Sequence, residues 1–132
     1  MANPNIVAVT SILGTTTYLT PSSTSAVVLL PNAAASGLVF KINQIVCSNV
    51  NGSTAVNATV AIYSNGGVAQ GGAPASGTAY PVISTIAVPA NASVIAVDKT
   101  TAIYLMEDTS ITVTSGTASG ITYTISYESI AS

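Results

Sequence analysis

The side chains able to do chemistry are few and scattered. The charged residues are Lys41, Asp98, Lys99, Glu107, Asp108 and Glu128, and the one thiol is Cys47. There is no histidine, and with only two basic residues, both lysines, there is no arginine either. Nucleophilic catalysis needs a base beside the nucleophile, so Ser-His-Asp and Cys-His schemes are excluded, and no motif points to a Ser-Lys pair using Lys41 or Lys99. Glu107 and Asp108 are adjacent in a turn-like stretch, where carboxylates serve as solvated surface rather than as an acid/base pair. Zinc has no ligand set in one cysteine and no histidine. Asp98, Glu107 and Asp108 offer oxygen ligands of the kind calcium takes, but without the alternating acidic spacing of a calcium loop. Gly66-Gly67 and Gly71-Gly72 lack the Lys-Ser/Thr and the helix that complete a phosphate loop. Two lysines cannot neutralise a nucleic-acid backbone. The residues therefore predict a protein without catalytic activity, cofactor or metal, and without nucleic-acid or membrane partners.

Cys47 sits in the apolar run Ile45-Val46-Cys47, where a free cysteine acts as a small buried hydrophobe. A disulfide-stapled scaffold is excluded by the cysteine count. The start of the chain has no basic region before its apolar residues and is interrupted by Pro4, so no signal peptide is expected. No apolar run is long enough for a membrane-spanning helix. These features predict synthesis and folding in the cytoplasm. Asn51-Gly-Ser, Asn57-Ala-Thr and Asn91-Ala-Ser match the glycosylation pattern by composition alone.

The elements that would position any site are strands. At 132 residues the chain is long enough for one domain with a real core. Its 5% of charged residues stands far below the quarter or so usual for soluble domains. So little charge combined with 48% hydrophobic residues argues against disorder, and for a surface covered in large part by neighbours.

The clearest two-residue alternation runs from Ser110 to Glu128. Ile111 and Val113 share one side of a first arm, and Ile121, Tyr123, Ile125 and Tyr127 share one side of a second. That period predicts half-buried strands, and the loop 116–120 predicts an antiparallel hairpin between them. Ser25 to Leu30 is nearly continuous apolar sequence of the kind found in a sandwich core, ended by Pro31-Asn32. In Leu38 to Val50 the apolar parity changes between Ile42 and Ile45, which predicts a β-bulge near Asn43-Gln44. Asn51-Gly52 reads as a turn, and Val56 to Tyr63 alternates again. Near the start, Met1 to Asn5 reads as an extended arm, Ile6 to Val9 and Ser11 to Leu13 as short strand pieces, and Gly14 with Thr15 to Thr17 as a bend. Ser64 to Ala79, with five glycines, reads as a flexible surface loop that adds little to the core and is dispensable for folding.

The expected fold is all-β: one antiparallel β-sandwich over residues 1–132, of about eight to ten short strands in jelly-roll or Greek-key order. A short N-terminal arm, 1–7, precedes it. The arm is uncharged and carries an apolar tip suited to edge addition on a neighbour, so Asn3, Pro4, Asn5, Ile6 and Val7 form the candidate assembly interface.

Three segments, MANPNIV, GLVFKINQIVCSNVNGS and STIAVPANASVIAVDKTTAIYLMEDTSITV, resemble small virion structural proteins of tailed phages that infect cyanobacteria. The resemblance implies a non-enzymatic protein present in many copies on the particle. It is expected to be a capsid decoration (cement) protein that is a homo-oligomer, most often a trimer, bound to the major capsid protein or other virion proteins. A neck or tail accessory role is the near alternative. From a different class, a carbohydrate- or receptor-binding module would need stacking aromatics, for which Tyr18, Tyr63, Tyr80 and Tyr104 are the candidates.

Overall fold

The computed structural model describes residues 4–132. Nine strands are joined by loops and one 3-10 turn: β1 Ser11–Leu19, β2 Val27–Asn32, β3 Leu38–Asn49, β4 Val56–Tyr63, β5 Ala79–Val88, β6 Ser93–Val97, the turn Lys99–Thr101, β7 Ile103–Leu105, β8 Thr109–Ser115 and β9 Ile121–Ala131. One sheet has the order β1-β9-β3-β6, with β7 also paired to β3, and the other has the order β2-β8-β4-β5. Every pairing is antiparallel. β6 lies along Ile45–Ser48 of β3 and β7 along Phe40–Ile42, so together they make one edge interrupted by residues 98–102. Counted as one strand, they complete two four-stranded sheets in jelly-roll order.

The core forms where the inward faces of the two sheets meet. Ile42, Ile45 and Cys47 of β3 and Ile121, Tyr123 and Ile125 of β9 pack against Val60 of β4 and Ile111 and Val113 of β8, all essentially without exposure. Burial of each such aliphatic side chain contributes about 1.5–3 kcal/mol before the cost of ordering it. The parity read from the sequence holds on β9, where Thr122, Thr124 and Ser126 stay partly exposed on the outward side. The bulge falls where the parity change puts it: the β3–β9 register slips between Ile42 and Gln44, leaving Asn43 as the extra residue. A second register shift, between Val28 and Leu30, lets both Leu29 and Leu30 join the core, which accounts for the unbroken apolar run in β2.

The expected β8–β9 hairpin is not formed. β8 pairs with β2 and β4, and β9 pairs with β1 and β3, so the loop 116–120 is an arch that carries the chain from one sheet to the other. The Tyr123 hydroxyl donates to the Thr114 carbonyl across that arch, satisfying a phenol that would otherwise be buried unpaired. Asn51-Gly52 likewise joins β3 to β4 across the sheets, and Asn51 Oδ1 accepts from Ser53 N (2.9 Å) and Thr54 N (3.3 Å) to hold the turn.

Two buried asparagines at strand ends fasten the corners. Asn32 Nδ2 donates to the Leu38 and Leu105 carbonyls, both at 3.0 Å, and its Oδ1 accepts from the Ser36 hydroxyl. Asn49 Nδ2 donates to the Thr54 carbonyl (3.0 Å) and the Val88 carbonyl (2.8 Å), and its Oδ1 accepts from Asn51 N. Each therefore links its own strand to an element of the opposite sheet, with the amide fully satisfied.

The first strand also differs from expectation. Ser11–Leu19 is one continuous strand, paired residue for residue with β9 from Ala131 to Tyr123, and Gly14 and the threonines run straight through it. Residues 5–8 are a turn and not a strand piece. Ala8 N donates to the Asn5 carbonyl (3.1 Å), Val7 N to Asn5 Oδ1 (2.9 Å), and Asn5 N to the Ser132 hydroxyl (3.3 Å).

Candidate assembly surface

The groups that could do chemistry are kept apart. Asp98 caps the 3-10 turn, its Oδ1 accepting from the Thr100 hydroxyl (2.6 Å), Thr100 N (2.9 Å) and Thr101 N (3.2 Å). Those bonds, the Thr100 hydroxyl first, hold its carboxyl below the usual carboxylate range. Glu107 Oε2 accepts from Gly37 N and Asp108 Oδ1 from Gly66 N, so the two neighbours turn to different loops. Cys47 is fully buried, and desolvation pushes its thiol up to about 12, which suits core packing. Among the described residues there is no pocket and no group of three or more potential metal ligands. None of the described helices is long and apolar enough to cross a membrane.

The informative geometry lies on the outsides of the two sheets and along their edges. On the outward face of the β2-β8-β4-β5 sheet, register places Val28, Thr112 and Ala61 side by side, with Ser110 one step along. Although they point away from the core, Val28 is 0%, Ala61 3%, Thr112 3% and Ser110 0% exposed. The loop 64–78 covers them. Its base is closed by Ser64 N to the Thr78 carbonyl (3.1 Å) and Thr78 N to the Ser64 hydroxyl (2.8 Å). Ser110 donates its hydroxyl to the Asn65 carbonyl (2.9 Å). At its tip, Val28 N donates to the Gly72 carbonyl (2.9 Å) and Gly71 N to the Val28 carbonyl (2.8 Å). The stretch expected to be a flexible, dispensable loop is thus tied to β2, β8 and itself, and it closes the β2 edge.

Glycine is required in that cover for a steric reason. A Cβ on Gly66 would stand 2.1 Å from the Asn32 carbonyl oxygen and 2.7 Å from that of Thr109, both backbone atoms. Only a residue without a side chain lets the loop lie this close to the ends of β2 and β8.

Two further edges are shielded by other means. β5 carries Pro81, which lacks a donor, and two register shifts against β4. Beside them, Thr85 has the unusual φ of 48°, held by its N–H donating to the Thr59 hydroxyl (2.9 Å). The β6/β7 edge is broken by the 3-10 turn with Asp98 and Lys99. β1 has none of these devices. It has nine residues in unbroken register, no proline and no charge, and the first charge in the chain is Lys41. Among the described residues, Gln70 reaches it, donating to the Thr17 hydroxyl (3.0 Å) and the Tyr18 carbonyl (3.3 Å). Ile12 (58% exposed), Leu13 (63%) and Tyr18 (71%) lie open on β1.

The outward face of the same sheet is closed at one end, where Val39 (4% exposed) and Ile130 (6%) are buried in one row with Ile12, and open towards the other. Tyr18, Thr124, Val46 and Ile95 form one row across β1, β9, β3 and β6, and hydroxyl pairs run beside it: Thr16 with Ser126 (2.9 Å), Thr20 with Thr122 (2.8 Å) and Ser48 with Ser93 (3.1 Å). Lys41 and Glu128 are register partners there, and Asn43 Nδ2 donates to Glu128 Oε1 (2.9 Å).

Of the residues expected at an assembly interface, Asn3 lies outside the described residues. Pro4 is half-buried, Asn5 closes the turn, and Ile6 and Val7 are exposed, Val7 at 91%. The turn puts this apolar tip next to the C-terminal end of β9 and the start of β1. The four tyrosines weighed for sugar stacking do not converge. Tyr18 and Tyr104 stand at opposite edges of one sheet, while Tyr63 and Tyr80 occupy successive register positions, and so opposite faces, of the other. β1 was missed as a surface because an edge strand exposed on both faces has no apolar alternation to read. The signal available was negative: forty residues without a charge.

No family model, curated protein or solved structure was found to match this chain.

Proposed function

We propose that this protein is a structural component of a phage particle, a capsid decoration protein that reinforces the head without chemistry of its own. The observation that carries the reading is the one-sided covering of the sandwich. The chain closes over one outward face with its own loop and leaves most of the other face, with the adjoining β1 edge, open, its charges there being Lys41 and Glu128. A hydroxyl- and tyrosine-bearing surface with few charges suits broad contact with a protein shell. A decoration protein stabilises that shell because its binding energy exists only while the shell is intact. The resemblance of the three segments to phage virion proteins supplies the particle.

In this reading the major capsid protein receives the open face, and the Ile6-Val7 tip adds attachment at its corner. A chain starting at Ala8 keeps its fold by circular dichroism and occupies stripped particles more weakly. The direct test is a cryo-EM map of the source particle. Density for the sandwich on the head, open face down, is the expected result. A place at the neck or tail would move the role there, and absence from the particle would overturn it.

A further inference from the structure

We propose that the open edge of β1 pairs with β1 of a second copy of this chain, antiparallel, about a two-fold axis at Leu13. The inference goes beyond the decoration role and stands on the strand edges alone.

An edge strand presents unpaired backbone N–H and C=O groups, and proteins shield such edges with proline, charge, bulges or cover. Here β5 has Pro81 and register shifts, β6/β7 is interrupted, and β2 is bonded to Gly71 and Gly72. β1 alone is long, regular and uncharged. The occupant is a second copy because the edge matches itself in charge. Nothing on it would steer a charged partner, and two copies bring no like charges together.

The register follows from parity. In β1 the even residues share the outward face with Thr124 and Ser126, and the odd residues share the inward side with Tyr123 and Ile125. A two-fold axis perpendicular to the sheet keeps the faces aligned, so it passes through a residue and not between two. Gln70 occupies the C-terminal end at Thr17 and Tyr18, which leaves Ser11–Thr16 open, roughly 20 Å of strand. The axis then falls on Leu13 or Gly14. On Leu13 it sets the two Leu13 side chains against each other and lays Ile12 of each copy over Gly14 of the other, where there is no side chain to meet it. On Gly14 it would set Ile12 and Leu13 against threonines. The first arrangement covers the two largest aliphatic groups that β1 exposes, and a continuous sheet then runs through both molecules.

The test uses the full chain. Leu13→Lys and Leu13→Glu are made at a position 63% exposed, outside the core, so both variants fold. By light scattering, wild type is expected at twice the 13.0 kDa chain mass at high micromolar concentration, each variant at the chain mass, and an equal mixture of the two variants again at twice it. On the axis, paired Cα atoms would be about 4.5–5.5 Å apart, within disulfide reach, so Leu13→Cys links to itself on oxidation while Tyr18→Cys does not. Wild type that stays monomeric, a trimer, an oligomer that both variants leave intact, or variants that fail to recombine each overturn the proposal. The trimer would agree with the phage resemblance and not with this contact. Occupancy of the particle is a separate readout, so failure here and failure of the decoration role are distinguishable.

Discussion

The two open sides of the sandwich face the same problem and meet it differently. Val28 and Ile12 both lie on the edge strand of a sheet with side chains turned away from the core. Val28 has no exposure, since a glycine-rich loop bonds its backbone and closes over its side chain; Ile12 is 58% exposed and has no such cover. The difference teaches that the low charge of this chain is not uniform surface neutrality. One side is finished internally; the other, apart from the buried Val39 and Ile130 at one end, is left in a condition that soluble monomers normally avoid.

The largest effect that sharpens this contrast lies across the two faces of β9. Ile125→Asp puts an unpaired carboxylate in the core, at a cost of several kcal/mol, comparable with the whole stability of a domain. It should abolish folding, whereas Thr124→Asp, on the outward face, should leave a cooperative melt. Equal tolerance of both would undo the assignment of inward and outward faces.

Next in size is the loop. Removal of residues 66–76 uncovers Val28, Ala61 and Thr112 and frees the β2 edge, so it should lower stability by about 3 kcal/mol, well over 8 °C in melting temperature for a domain this size. Gly66→Ala should cost a comparable amount by pushing the loop off Asn32 and Thr109. A loop deletion with an unchanged melting temperature would return the segment to the status its composition suggests.

Smaller still is a pH effect that belongs to the core. The unfolded Cys47 thiol loses its proton near 9.0, and the folded one only near about 12. Above pH 9 the unfolded chain therefore binds fewer protons than the native one, and stability falls as pH rises from 9 towards 12, while below pH 9 this group has no effect. At pH 10 the loss should be about 1 kcal/mol. Burial holds the Tyr123 phenol above its usual value too, which adds to the loss in the same direction. Chemical denaturation at pH 8 and pH 10, with Cys47→Ala showing the shallower decline, checks this.

The smallest effect is expected where the surface is bare. Leu13→Thr should change monomer stability by no more than about 0.5 kcal/mol, as for other exposed positions. A larger loss would mean that β1 is anchored through Leu13 and is less open than its exposure indicates.

How much of this was legible in the sequence depends on what each feature answers to. The β9 faces and the bulge at Asn43 were readable, because burial on one side forces a two-residue period and a slip in that period has one local cause. The partner of each strand was not. A five-residue loop between two alternating arms fits a hairpin and an arch equally, and only the Tyr123–Thr114 bond and the pairings with β1, β2, β3 and β4 distinguish them. The loop's role was hidden by its composition, since glycines that permit close approach look the same as glycines that permit disorder. β1 was not legible as one strand because Gly14 and three threonines resemble a bend and the strand has no buried face to contradict that. The corner asparagines, Asn32 and Asn49, carried a usable signal, a polar residue ending an apolar run, but nothing said that both would be fully buried and fully bonded.

Amide hydrogen exchange, followed residue by residue in dilute and in concentrated protein, compares the two edges most directly. The Val28 amide, bonded to the chain's own Gly72, should be protected equally at both concentrations. The outward amides within Ser11–Thr16 should exchange freely in the dilute protein and become protected on concentration. β1 amides as protected as Val28 in the dilute monomer, or still unprotected in the concentrated protein, would contradict the account of an edge left open for a partner.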